Sequence, residues 1–285
     1  YTATFSESTS NFVVGDITVT GTANDSSPAA SNFAGSGTTY TFDVVKGSSD
    51  GTVSVSVAAG RATDASGNDN TVSNTYALTI DSTSPTVTIT SSTGDSGDTV
   101  SDTTLSYTAT FSESTSNFVV GDITVTGTAN DSSPAASNFA GSGTTYTFDV
   151  VKGSSDGTVS VSVAAGAATD AAGNDNTVSN TYALTIETIS PTVTITSSTG
   201  DSGDTVSDTT LSYTATFSES TSNFVVGDIT VTGTANDSSP AASNFAGSGT
   251  TYTFDVVKGS SDGTVSVSVA AGAATDAAGN DNTVS

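Results

Sequence analysis

The sequence predicts an all-β chain built from tandem antiparallel β-sandwiches of about seven strands each. Three observations carry this reading: apolar residues alternate with Ser and Thr at period two, the whole pattern recurs every 106 residues, and clusters of Gly, Asn, Asp, Ser and Pro separate the alternating runs. Strict alternation marks a strand with one buried and one wet face. Gly, Asn, Asp and Pro supply the backbone conformations of tight turns.

The elements follow in order along the middle copy. Val87 and Ile89 alternate with Thr in a first strand that opens after Pro85, as Val193 and Ile195 do after Pro191. Leu105, Tyr107, Ala109 and Phe111 form the second, and Ile123 with Val125 the third. A shorter strand is expected near Phe139. Tyr146, Phe148 and Val150 make the next, then Val159, Val161 and Val163, and finally Tyr182, Leu184 and Ile186. About seven short alternating strands in about 100 residues, with no helix-period segment, read as two packed sheets.

The repeat is fixed by Tyr1-Thr2-Ala3-Thr4-Phe5-Ser6-Glu7, which returns from Tyr107 and again from Tyr213. The copies differ at few places. Arg61 becomes Ala167 and Ala273, Ser66 becomes Ala172 and Ala278, and Asp81-Ser82-Thr83 becomes Glu187-Thr188-Ile189. Solenoid units run about 20–50 residues, so a repeat of this length is a domain able to fold alone. The expected bodies are 1–83, lacking its first strand, a complete 84–189, and 190–285, lacking its last. Tyr1 has no charged and apolar leader behind it, so the chain reads as an internal fragment or a processed product.

Composition narrows the function. The 285 residues carry 29 acidic and 4 basic side chains, a formal net charge of −25, with no Cys, His, Met or Trp. Such a field repels nucleic acid and anionic lipid and draws cations. Without His or Cys, the commonest general base, zinc ligand and thiolate nucleophile are all missing. No apolar run approaches the ~20 residues of a membrane span. The reading is not an enzyme, with neither nucleic acid nor membrane insertion among its partners.

Phe111-Ser112-Glu113, the Phe118 to Asp122-Ile123 segment, Gly157-Thr158-Val159-Ser160-Val161, and Ala168-Thr169-Asp170-Ala171-Ala172-Gly173-Asn174 before a last strand and a Pro recur in every copy. In these motifs the chain resembles the bacterial immunoglobulin-like domains of long tandem arrays in giant surface adhesins. That resemblance implies an immunoglobulin-like sandwich, a bacterial extracellular or cell-surface location, and in several such families calcium at domain junctions.

The acids can be sorted by topology. Strands that run alternately up and down gather the loops of Glu113, Asp122, Asp170, Asn174 and Asp175 at the leading pole, beside the linker acid Asp81. The equivalents in the next copy are Glu219, Asp228, Asp276, Asn280 and Asp281, beside Glu187. Calcium takes six to eight oxygen ligands in a flexible geometry, which suits such a set. These twelve residues are the candidate metal ligands, against the plainer reading that Asp and Asn only make turns and keep the surface wet. For the trailing-pole loop of Asp95, Asp98 and Asp102 both readings stay open.

Other chemistry fits less well. Glu113 and Asp122 could pair as a glycosidase acid and nucleophile, but a catalytic site copied in every repeat is unusual, and the aromatic residues sit on inward phase. Lys152 could form an isopeptide, yet a Lys beside Gly153 and near Asp156 reads as a solvated charge. Asn24-Asp25-Ser26 matches a glycosylation sequon on three residues alone. The Thr-rich faces suggest ice binding only if flat, and sandwiches twist. The leading expectation is a calcium-stiffened shaft that holds a tip domain away from the cell. The alternative is a segment of a self-assembling extracellular filament or biofilm fibre, with other copies of the chain as partners.

Overall fold

The structure, a computed structural model, describes all residues except 24–29, 130–134 and 236–240. The sequon at Asn24 and its copies, and Asp131, lie outside the described residues. The chain forms two compact units. One comprises Tyr1–Pro85 with Ala168–Asn176, the other Thr86–Ala167 with Thr177–Ser285.

In the first unit, β1 (Thr2–Thr9), β2 (Ile17–Thr20), β3 (Ser31–Asp43), β4 (Gly51–Val57) and β5 (Tyr76–Ile80) make two sheets, β1-β3 and β2-β4-β5. Phe12, Tyr40, Phe42, Val55 and Val57 are buried between them, with Tyr1, Ala3 and Phe5 packed partly buried against this core. Inward residues fall two apart, as the alternation requires.

The second unit continues with β6 (Val87–Ser91), β7 (Thr99–Val100), β8 (Thr104–Thr115), β9 (Ile123–Thr126), β10 (Ser137–Val151), β11 (Gly157–Val163) and β12 (Tyr182–Ile186). These seven strands of the middle repeat form the sheets β6-β8-β10 and β7-β12-β11-β9. Their facing sides bury Leu105, Tyr107, Ile89, Phe148, Leu184 and Val159, all below 2% or at 2% exposed. Each such aliphatic side chain contributes roughly 1.5–3 kcal/mol on leaving water. Then come β13 (Val193–Ser197), β14 (Thr210–Thr221), β15 (Ile229–Thr232), β16 (Ser243–Val257) and β17 (Ser266–Val269), in sheets β13-β14-β16 and β15-β17. Phe217, Phe224, Tyr252, Phe254 and Val269 form their core.

The all-β immunoglobulin-like sandwich is thus the observed fold, with two differences from the pattern reading. The expected short strand near Phe139 is not separate: it runs into the Tyr146 strand as one 15-residue β10. The Gly141-Ser142-Gly143 stretch forms a bulge, where the pairing with β8 shifts between Gly143↔Thr115 and Thr145↔Thr110. Gly141 has φ +123°, and a Cβ there would meet Thr145 O at 2.2 Å, so only glycine fits. The seventh strand is instead the two-residue β7, which pairs with β12 in parallel through Thr99↔Thr185 and Val100↔Ile186. Among the described residues no helix is long and apolar enough to cross a membrane.

Candidate metal centre

Each copy builds the same acidic loop. In the third repeat, Asp276 Oδ1 accepts backbone N–H bonds from Ala278 and Asn280 at 2.8 and 2.9 Å, and Oδ2 accepts from Asn280 Nδ2 at 2.9 Å. Asp170 holds Ala172, Gly173 and Asn174 in the same way, and Asp64 holds Ser66 and Asn68. A carboxylate that accepts several N–H bonds is pre-positioned and favoured in its charged form. Gly279, at φ +89°, turns the chain so that this ring closes.

A neighbouring asparagine anchors the loop from beneath. Asn282 is 1% exposed. Its Oδ1 accepts from Ala274 N at 2.7 Å, and its Nδ2 donates to Ala270 O and Thr283 O at 2.9 and 2.6 Å. Asn223 Oδ1 accepts from Thr275 N and Oγ1 at 2.6 and 3.2 Å, which ties the loop to the segment after β14. Neither Asn stood out in the sequence, because a buried Asn in a polar loop looks the same as a wet one.

Around this loop three acids of the second unit converge. Glu187 follows β12, Glu219 lies on β14, and Asp276 heads the loop after β17. One carboxylate oxygen from each lies within 4.8 Å of the others. Asp276 is buried at 6% exposed, and the two Glu are half-buried. Asn280 Nδ2 sits among them, donating to Glu187 O at 3.0 Å, to Glu187 Oε2 at 2.8 Å and to Asp276 Oδ2. Glu187 Oε1 accepts from Ile189 N at 2.6 Å. The ion pairs among the described residues are Lys46–Asp50, Lys152–Asp156 and Lys258–Asp262, so no Lys or Arg neutralises the three acids.

The crowding shows in the acidities. Burial, then the Asp276 and Glu219 charges, raise the Glu187 carboxyl above its usual range, although the Ile189 amide works against this. Glu219 is raised by burial and by Asp276. Burial pushes Asp276 the same way, but the Asn280 side-chain and backbone bonds and the Glu187 carboxyl outweigh it and hold Asp276 low. Asp276 is therefore the carboxylate that keeps its charge most firmly.

The linker beside Glu187 is held separately. Asp156 accepts from Thr188 N at 3.0 Å, from Thr188 Oγ1 at 2.9 Å, and from Lys152 Nζ at 2.8 Å. The Asp156 carboxylate is thus engaged with the linker rather than presented outward.

The remaining candidates fall in other places. Asp81 and Asp170 lie in the first unit, where Asn174 Nδ2 donates to Asp81 O at 3.2 Å and to Asp170 Oδ2 at 2.8 Å. Glu113 lies in the second unit, on strand β8 rather than in a loop. Asp122 and Asp228 each close a 3-10 turn, Oδ2 accepting from Val119 N and Val225 N at 2.8 Å. Asp175 and Asp281 pair by backbone with Thr169 and Thr275. The Asp281 carboxylate faces Gly272, where a Cβ would meet Oδ2 at 3.7 Å. Neither Asp228 nor Asp281 belongs to the three-acid group. In the Asp95 loop, Asp98 Oδ2 accepts from Asp95 N at 2.8 Å, a turn bond.

No curated protein matches the chain in a sequence search. Residues 81–186 match the family described as bacterial Ig-like domain. The flanking segments repeat the sequence of that matched stretch almost without change.

Proposed function

We propose that the chain is part of the shaft of a bacterial surface adhesin, a spacer that carries a tip domain outward, with calcium at the junction formed by Glu187, Glu219 and Asp276. A bacterial Ig-like domain supports a structural or surface role, such domains are often found in extracellular proteins, and the fold is typically non-catalytic.

One observation carries it: three carboxylates from a linker, a strand and a loop approach within 4.8 Å without a basic partner. Oxygens that share a calcium at 2.3–2.6 Å lie no more than about 5 Å apart, so the donor set fits that ion. It suits zinc poorly, since no His or Cys is present. Calcium supplies the positive charge that the cluster lacks. The residues do the rest. Asp276 presents a fixed carboxylate, Asp156 holds Thr188 so that Glu187 leaves the linker at a set point, and Asn280 can turn its amide by a half rotation to present Oδ1 in place of Nδ2.

Isothermal calorimetry of the whole chain with calcium tests this. Saturable binding is expected, with the Glu187 junction lost from the isotherm in Glu219→Gln while circular dichroism stays unchanged. Identical isotherms for the two proteins would remove calcium from this junction. A segment of a self-assembling extracellular filament is the alternative reading. Electron microscopy of the parent material distinguishes them: thin beaded rods for the shaft, thick ordered fibres for the filament.

A further inference from the structure

We propose that Ile189 is the pivot of the linker between the middle and third repeats, and that the residue at this position, Ile here and Thr at 83, sets how freely such a linker bends. This goes beyond the spacer reading and does not depend on a bound cation.

Both ends of the linker are tied down. On the side of the middle repeat, Glu187 N donates to Val100 O at 3.0 Å, which continues the pairing of β12 with β7. Thr188 is clamped next: its N donates to Asp156 Oδ2 at 3.0 Å, its Oγ1 to Asp156 Oδ1 at 2.9 Å, and Lys152 Nζ reaches the same Oδ1 at 2.8 Å. On the side of the third repeat, Pro191 is buried and its carbonyl accepts from Thr283 N at 2.8 Å. Thr192 N donates to Ser218 Oγ, and Ser218 N donates to Thr192 O, both at 2.9 Å. Between these anchors stand Ile189 and Ser190, both exposed.

The two are not equally soft. A backbone bends only through φ and ψ, and a residue before proline is held to extended conformations because the ring clashes with its backbone. Ser190 is that residue, and Pro191 fixes its own φ. Ile189 is left. Its N–H is donated within the linker, to Glu187 Oε1 at 2.6 Å, and its side chain is 66% exposed, with no polar atom to reach the clamp. Across it the third repeat reaches back through Asn280 Nδ2, to Glu187 O at 3.0 Å and Oε2 at 2.8 Å, and these are the bonds that a bend at Ile189 has to exchange for water. The first linker shows what a hydroxyl does at this position. Thr83 Oγ1 donates to Asp50 Oδ2 at 2.8 Å, beside Ser82 N at 3.0 Å on the same oxygen. Asp156 Oδ2 is the matching oxygen and holds Thr188 N. With Ile at 189 the clamp ends one residue earlier.

The test uses the whole chain in excess chelator. Thr147→Cys and Thr253→Cys, at exposed positions of β10 and β16, give two cysteines in a sequence that has no other, and each carries a nitroxide. Double electron-electron resonance reads the distribution of distances between them. Ile189→Thr should narrow that distribution, and Ile189→Val, which has the shape of Thr without the hydroxyl, should leave its width unchanged. Adding Asp156→Ala to Ile189→Thr should broaden it to at least the original width, because the hydroxyl then has nothing to hold. Equal widths for the Thr and Val variants, or a Thr variant that stays narrow without Asp156, overturns the proposal. The calcium reading of the junction is untouched by either result, since no free calcium is present.

Discussion

The first and middle repeats have nearly the same sequence and different interiors. Tyr76 is 55% exposed and its equivalent Tyr182 is 7% exposed; Leu78 is 42% exposed and Leu184 is 1% exposed. The strands that carry them pair alike, Val53↔Leu78 in one and Val159↔Leu184 in the other. What differs is the cover. In the middle repeat, residues 85–100 lay β6 along β8 and bring β7 beside β12, while Gly97 N donates to Ala183 O at 2.8 Å and Thr185 N to Asp98 O at 2.9 Å. Burial at these positions belongs to the completed pair of sheets, not to the residue.

The largest test of that contrast is paired truncation. Leu184→Ala should destabilise the middle repeat by roughly 2–5 kcal/mol, the range for emptying a closed core site. Leu78→Ala should change stability by less than about 0.5 kcal/mol, as an exposed position does. Calorimetric unfolding of the two variants measures the difference; equal losses would mean that Leu78 is covered in solution.

A smaller effect separates the matching amides of Asn180 and Asn74. Asn180→Ala removes both bonds to Ile89 and leaves the backbone of that buried residue unpaired, which should cost about 1–3 kcal/mol. Asn74→Ala should be silent in the same denaturant titration.

The smallest effect distinguishes the linkers. Asp50 accepts from Ser82 N and Oγ at 3.0 and 2.7 Å and from Thr83 Oγ1 at 2.8 Å, whereas Asp156 accepts from Thr188 N and Oγ1 at 3.0 and 2.9 Å and from Lys152 Nζ at 2.8 Å. Ser82 and Thr83 bonds, ahead of Lys46, depress the Asp50 carboxyl, and Lys152 ahead of Thr188 depresses that of Asp156. A depressed folded-state value means that the stabilisation is present above the unfolded carboxyl value of about 4 and is lost as pH falls through the folded one. Both linkers should therefore stay pinned at neutral pH. On acidification Thr188 should release before Ser82 and Thr83, as followed by the amide shifts of those residues in NMR. Simultaneous release would show that the extra hydroxyl bond of the first linker adds nothing.

Much of this fold was legible because period two is a local signal. Tyr107, Ala109 and Phe111 declare an inward face without knowing their partner. β7 was not legible, since two residues in a Gly- and Asp-rich stretch become a strand only when β12 lies beside them. The unbroken β10 was hidden for the opposite reason: Gly141 and Gly143 look like a turn, and only the register with β8 shows a bulge. The acidic loop was legible from Asp276 to Asn280. Which acids meet it was not, because Asp228 and Asp281 resemble Glu187 and Glu219 as letters, while a 3-10 turn and a backbone bridge place them differently. Convergence of residues 32 and 57 positions apart, as from Glu187 to Glu219 and from Glu219 to Asp276, is set by the sandwich alone.

Small-angle scattering of the chain in millimolar calcium and then in excess chelator tests the proposed junction most directly. The expected result is a larger maximum dimension in calcium, a shorter and broader distance distribution in chelator, and unchanged circular dichroism, with Glu219→Gln shifted towards the chelator profile in both. The same maximum dimension and thermal midpoint in the two conditions would contradict the account, leaving Glu187, Glu219 and Asp276 as turn and surface acids.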